Sequence, residues 1–307
     1  MMPSMVGLNH KWGLTGKGVN VAVLDTGISR HPDFDGRILV FRDFVRGKQR
    51  LYDDNGHGTH VAGIVGGSGA ASNGRFKGIA PECGIAALKV LDRKGNGSLK
   101  CVLSGLRWVL QYHRQYQIRI VNISVGAIPK EPGDESVLIR SVEQLWEEGL
   151  IVTVAAGNRG PKKNTVTTPG ISRKVITVGC YDDVKAVEVA GSVMSDYSGR
   201  GPVAETCIVK PEVVASGFNV VSCNVITPRH PKPYTMKSGT SMATPMVSGA
   251  MALLLEKYPQ MTNVQAKLRL YESCDDLGLP KCHQGWGRLN IDRLLALPYS
   301  AAVKAVP

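Results

Sequence analysis

Long hydrophobic runs are missing from this chain. No apolar stretch approaches the roughly 20 residues that a helix needs to cross a bilayer, so a helical membrane protein is excluded. The N-terminus, Met1-Met2-Pro3-Ser4-Met5-Val6-Gly7, also lacks the basic-then-apolar profile of a secretory leader. Cysteine pairs at metal-ligand spacing are absent. The seven cysteines (Cys83, Cys101, Cys180, Cys207, Cys223, Cys274 and Cys282) are odd in number and widely spaced, which speaks against a zinc module and a disulfide framework. Reduced, mostly buried thiols are expected instead. These absences point to a cytoplasmic protein, with a mature fragment of a secreted one as the alternative. Acidic residues are scarce, 25 Asp and Glu against 37 Lys and Arg, for a net charge of +12. The basic residues nevertheless stand in small scattered groups, with no basic helix and no aromatic-interleaved motif. A solvated basic surface is expected, not nucleic-acid binding.

What is present is material for a large core: 43% hydrophobic residues, with 35 Gly and 17 Pro for loops. The chain reads as one domain over residues 1–298 with a short tail at 299–307. Short β-branched runs at Val19–Leu24, Ile85–Leu91, Ile118–Val125, Leu150–Ala155 and Val175–Gly179 read as buried strands. Helical spacing falls between them, at Gly58–Val65, Ser98–Gln115 and Ser136–Glu148, and returns at Ser241–Tyr258 and Asn263–Glu272. Alternating strands and helices imply right-handed crossovers, hence an α/β fold of three layers with a mostly parallel central sheet.

Four short segments carry candidate chemistry. Ser241, in Ser238-Gly239-Thr240-Ser241-Met242-Ala243-Thr244-Pro245, sits at the start of a long apolar helix. There unpaired amides and the positive dipole end favour developing negative charge, although a serine also simply caps helices. Asp25 closes the first strand, in Leu24-Asp25-Thr26-Gly27, at the end of the sheet where sites are built; alone it reads equally as a turn residue. His57, in Gly56-His57-Gly58-Thr59-His60-Val61-Ala62-Gly63, is a natural general base near neutral pH. No third ligand accompanies His57 and His60, so no metal is expected there. Asn158 ends Ala155-Ala156-Gly157-Asn158, where its amide can donate to an oxyanion or serve as a plain turn residue.

Taken together, D-T-G, H-G-T-H-V-A-G, A-A-G-N and G-T-S-M-A-T-P, in the order Asp, His, Ser, resemble the subtilisin-like serine protease (subtilase) family from about Gly18 to Leu295. The resemblance implies a subtilisin-like fold and a serine endopeptidase that works through an acyl-enzyme. It makes Ser241 the nucleophile, His57 the base and Asp25 its orienting carboxylate, with Asn158 at the oxyanion. It also implies a cleft whose edges, Gly95-Asn96-Gly97 after Lys94 and Ser124-Val125-Gly126, pair with substrate backbone. Ala155, Ala156 and Gly157 would wall the pocket for the residue before the scissile bond, with Thr167, Thr168 and Pro169 near its base. Polypeptides are the expected partners; oligomeric state is not legible.

Two departures add expectations. Only 24 residues precede Asp25, which suggests an intracellular type without a propeptide, or a mature fragment. Ala71-Ser72-Asn73-Gly74-Arg75-Phe76-Lys77 contains no carboxylate, which puts the tight calcium loop of many secreted relatives in doubt and leaves weaker calcium binding elsewhere open; the chemistry itself needs no cofactor. Arg159 and Lys94 make the cleft rim positive, favouring acidic side chains beside the cut.

Overall fold

A run such as Val21-Ala22-Val23-Leu24 has no polar face to offer water, so both faces must be covered. The computed structural model, which describes residues 12–125, 133–189 and 191–296, shows how. In chain order the strands are β1 (Asn20–Asp25), β2 (Ile38–Asp43), β3 (Gly84–Lys89), β4 (Ile118–Ile123), β5 (Ile151–Ala155) and β6 (Ile176–Cys180). A short hairpin of β7 (Val187–Val189) and β8 (Ser192–Met194), then β9 (Val213–Ala215), and a second hairpin of β10 (Val220–Cys223) and β11 (Tyr234–Lys237) complete them. The helices are α1 (His57–Gly66), α2 (Leu99–Tyr112), α3 (Asp134–Glu147), α4 (Thr240–Lys257), α5 (Asn263–Ser273), α6 (Lys281–Gln284) and α7 (Ile291–Ala296). Seven strands form one sheet in the order β2-β3-β1-β4-β5-β6-β9, every pair parallel.

Alternate residues of each strand feed two cores. Val21, Val23, Ile85 and Ala87 pack with Val61 and Ile64 of α1 and with Val247, Ala250 and Leu254 of α4. Ala22, Leu24, Ala86 and Leu88 face Val102, Leu106 and Val109 of α2 and Leu138, Val142 and Leu145 of α3. Three layers result, as the alternation of strands and helices predicts. The expected strands and helices all form, each end within about three residues of its expected place.

The sheet is wider than the sequence suggests. β2 is an edge strand with Leu39 and Arg42 exposed and Arg42 and Asp43 charged, and β9 is only three residues long, so neither presents a continuous apolar run. The tail expected at 299–307 lies outside the described residues, and no helix among those described is long and apolar enough to cross a membrane.

After β3 the chain passes over β1 to reach β4, so the connections diverge beside β1. Crevices at the carboxyl ends of strands form where this happens. Register sets the level of those ends: Leu24 lies beside Ile123, and Ile123 beside Val154. Asp25, Ser124 and Ala155 therefore leave the sheet side by side.

Candidate active site

Asp25 is buried at the end of β1, and its Oδ1 accepts from Nδ1 of His57 at 2.7 Å and from the amide of Thr26 at 2.7 Å. His57 opens α1, and the next residue must be small. A Cβ on Gly58 would stand 2.2 Å from the Gly27 carbonyl oxygen and 3.1 Å from the Cβ of Asp25, so only glycine lets the helix begin this close to the strand. Thr26 ties the two together: its hydroxyl accepts from the Gly58 amide and donates to Asp53, each at 2.8 Å. Asp53 also accepts from the amides of Asn55, Gly56 and Thr59 and from the Thr59 hydroxyl. Burial pushes its carboxyl up, but these donors outweigh it and hold the pKa below the usual value.

Burial disfavours the charged imidazole of His57. The charge and hydrogen bond of Asp25 outweigh that effect, so its pKa lies above the ordinary value of 6.5, with Lys237 pulling the other way. His60, one turn on, has a different task. Its Nε2 donates between the carbonyls of Val220 and Thr235, and burial together with the charges of Lys237 and His57 pushes its pKa down to about 3. It is a neutral strut between α1 and the β10–β11 hairpin.

Ser241 is the second residue of α4, after Gly239 with φ 138°. Its hydroxyl donates to the Ser124 carbonyl at 2.8 Å, and among the described residues no hydrogen bond joins it to His57. Asn158 stands just beyond β5. Its Oδ1 accepts from both the amide and the hydroxyl of Thr240 at 3.0 Å, which turns its Nδ2 outward beside Gly239. A group that holds the carbonyl end of an amide leaves the donor end for a ligand.

The segments expected to edge a cleft lie in the loops that follow β3, β4 and β5. Gly95, Asn96 and Gly97 are exposed in a turn closed by Asp92, which accepts from the amides of Lys94 and Asn96. Asn55 joins this turn to the start of α1, donating to the Arg93 carbonyl while accepting from the His57 amide. Ser124 and Val125 come directly after β4; Gly126 lies outside the described residues. Ala155 ends β5, with Ala156 and Gly157 next, and a Cβ on Gly157 would stand 2.5 Å from the hydroxyl of Thr167. Thr168, buried beneath, donates to Glu135.

Thr26, Asp53 and Thr240 join the site without having been singled out by the sequence. Their signal is slight but real: each is a residue able to accept hydrogen bonds that lies inside or just before the motif of Asp25, His57 or Ser241.

Among the described residues, His31, Asp33 and Cys223 form a group with metal-ligating atoms within 4.8 Å of one another. Those atoms are committed elsewhere. The Asp33 carboxylate accepts from the amides of Gly69 and Ala71, from the Tyr234 hydroxyl and from the Cys223 thiol. His31 spends Nδ1 on the Asp33 amide and Nε2 on the Pro233 carbonyl. A ring of donor protons around a carboxylate suits hydrogen bonding, not a hard cation that seeks free oxygens.

The Subtilase family model matches residues 16–287. Serine protease AprX of Bacillus subtilis (strain 168) is 42% identical, over 85% of this chain and 62% of that protein's length, so the chain spans less than two thirds of it. Subtilisin Savinase of Lederbergia lenta is 34% identical over 92% of this chain and 93% of its own. Among solved structures, Sphericase superposes with a TM-score of 0.72 at 29% identity, covering 87% of this chain and 86% of that one. A cold adapted subtilisin-like serine proteinase superposes with a TM-score of 0.68 at 28% identity, covering 91% and 89%.

Proposed function

The chain belongs to the subtilase family, and on that premise we propose that it is a serine endopeptidase that hydrolyses peptide bonds through an acyl-enzyme. The observation that carries the reading is the 2.7 Å hydrogen bond between Asp25 and His57, made at the level where Ser124, which holds the Ser241 hydroxyl, leaves the sheet. Asp25 fixes the imidazole with Nδ1 protonated, so Nε2 is the free base. Rotation of Ser241 about χ1 moves its proton from the Ser124 carbonyl to that nitrogen. The oxygen then attacks the scissile carbonyl, and His57 returns the proton to the leaving amine. The oxyanion is held by Asn158 Nδ2 and the Ser241 amide. Removing one such donor from a serine protease of this kind costs about 10²–10³ in turnover, and Asn158→Ala is expected to do the same here.

Substrate backbone adds as a strand between Gly95-Asn96-Gly97 and Ser124-Val125-Gly126. No cofactor takes part, and the closed donor ring around Asp33 supports a fold that does not depend on calcium there. The seven free thiols favour a reducing compartment, hence the cytoplasm.

Labelling with a fluorophosphonate probe, with and without a calcium chelator, tests these readings. We expect the folded protein to be labelled, Ser241→Ala to abolish labelling, and the chelator to leave it unchanged. Absence of labelling in the folded wild-type protein refutes the protease reading; loss of labelling in chelator refutes calcium independence alone.

A further inference from the structure

β3 ends on a cation that solvent does not reach. The side chain of Lys89 is fully buried, and its backbone lies beside Asp25 in the register of β1 and β3. An ammonium has three N–H donors. Lys89 gives one to the Thr26 carbonyl, one to Asp54 Oδ1 at 2.7 Å and one to the Leu91 carbonyl at 2.8 Å, and its Nζ lies 5.0 Å from the centre of the Tyr52 ring.

Each acceptor belongs to a different part of the candidate site. Thr26 donates its amide to Asp25 and holds the start of α1 through its hydroxyl. Asp54 precedes Asn55, which accepts from the His57 amide. Leu91 leads into the Asp92 turn that carries Gly95-Asn96-Gly97, and its own amide donates to the Asp25 carbonyl at 3.2 Å. Burying an ammonium is costly, and a buried ion pair often adds no stability over apolar side chains of the same shape. What three directed bonds from one nitrogen supply is a fixed relation between three segments.

We propose that Lys89, with Asp54 as its counter-charge, is a positioning residue that holds Asp25, His57 and the Gly95–Gly97 edge in one arrangement; the proposal rests on the protease reading above. Lys89 is buried and acts only through Thr26, Asp54 and Leu91. The sign of one measurement separates this role from a bare field effect. Removing a nearby cation raises an imidazole pKa, whereas loosening the Asp25 hydrogen bond lowers it. Lys237 and Asp53, the other charges that act on His57, stay in place.

The test compares the wild-type protein with Lys89→Met and Asp54→Ala on a fluorogenic peptide, with folding checked by circular dichroism and active sites counted with a fluorophosphonate probe. A misplacement of about 1 Å can cost about 10²-fold, so kcat in Lys89→Met should fall by about 10- to 10²-fold. The acid limb of kcat/KM should move to lower pH, and the proton resonance of His57 Nδ1–H should move upfield. Asp54→Ala leaves two of the three bonds and should show the same changes in smaller measure. A kcat within about threefold of wild type in Lys89→Met, or a lower kcat with the resonance unmoved and the limb unmoved or raised, overturns the proposal and leaves Lys89 a structural cation. Should Lys89→Met fail to fold, Asp54→Ala decides by the same readings. If the wild-type protein neither cleaves the peptide nor takes the probe, the protease reading fails instead, and the resonance alone judges what Lys89 does to the Asp25–His57 bond.

Discussion

At the scale of single residues, the state of His57 follows from a contest between burial and one carboxylate. Burial lowers its pKa; the Asp25 charge and hydrogen bond raise it further than burial lowers it. One oxygen of Asp25, Oδ2, is buried without a partner, so the imidazole and the Thr26 amide are what answer the carboxylate charge. A base with a raised pKa stays protonated, and inactive, to higher pH. The acid limb of kcat/KM is therefore expected above pH 6.5. Lys237 opposes protonation, so Lys237→Met should move the limb to higher pH, and a pH–rate profile of the two proteins reads the shift. A limb that moves down in the variant contradicts this account. Asp25, His57 and Ser241 were legible as candidates because each sits in a short motif rich in small residues. Thr240 and Asp53 were not, because an orienting role appears only when the partner's position is known.

At the scale of elements, the sheet and α4 are joined behind Ser241 by a buried polar chain. Ser248 of α4 donates to Asn122 of β4 at 2.8 Å, Asn122 donates to Ser124 at 2.9 Å, and Thr153 of β5 lies 2.7 Å from Ser248. All four are buried, so each depends on the others for its hydrogen bonds. Ser248→Ala leaves the Asn122 oxygen short of a donor and is expected to cost about 1–3 kcal/mol of stability. Urea unfolding measures it; a cost under about 0.5 kcal/mol would mean the network is not closed as described. The elements themselves were largely legible, since β1, β3, β4, β5 and β6 are mostly apolar and almost wholly buried. β2 escaped because it lies at the sheet edge and ends in the charged pair Arg42-Asp43, and β7 to β11 because three or four residues are too few to show a period.

At the scale of the whole molecule, four buried thiols set the response to alkali. Burial raises Cys83 and Cys274 from the ordinary 9.0 to about 12, and Cys180 and Cys223 well above it. A group with a raised folded pKa contributes stability that is complete below its unfolded pKa and is lost as pH climbs towards the folded one. Each thiol therefore removes up to about 1.4 kcal/mol per pH unit above pH 9. Lys210 works against them: burial lowers its pKa to about 8, so its contribution grows between there and 10.5. Four thiols outweigh one lysine. The urea midpoint should fall between pH 9 and 10.5, and less steeply in a Cys83→Ala/Cys274→Ala variant; a level wild-type midpoint over that range would refute the assignment.

The sequence by itself determined the long helices and the five central strands and marked the residues proposed to carry the chemistry, because apolar periodicity and small-residue motifs are local properties of the chain. Only the tertiary structure decided that Asp25, Ser124 and Ala155 leave the sheet at one level, since register depends on strands brought together through crossovers. It alone decided that the Ser241 hydroxyl rests on Ser124, 117 positions away, and that Thr240 turns the Asn158 amide outward. It also brought Thr168 to Glu135 of α3, a hydrogen bond between residues 33 positions apart that no local pattern records.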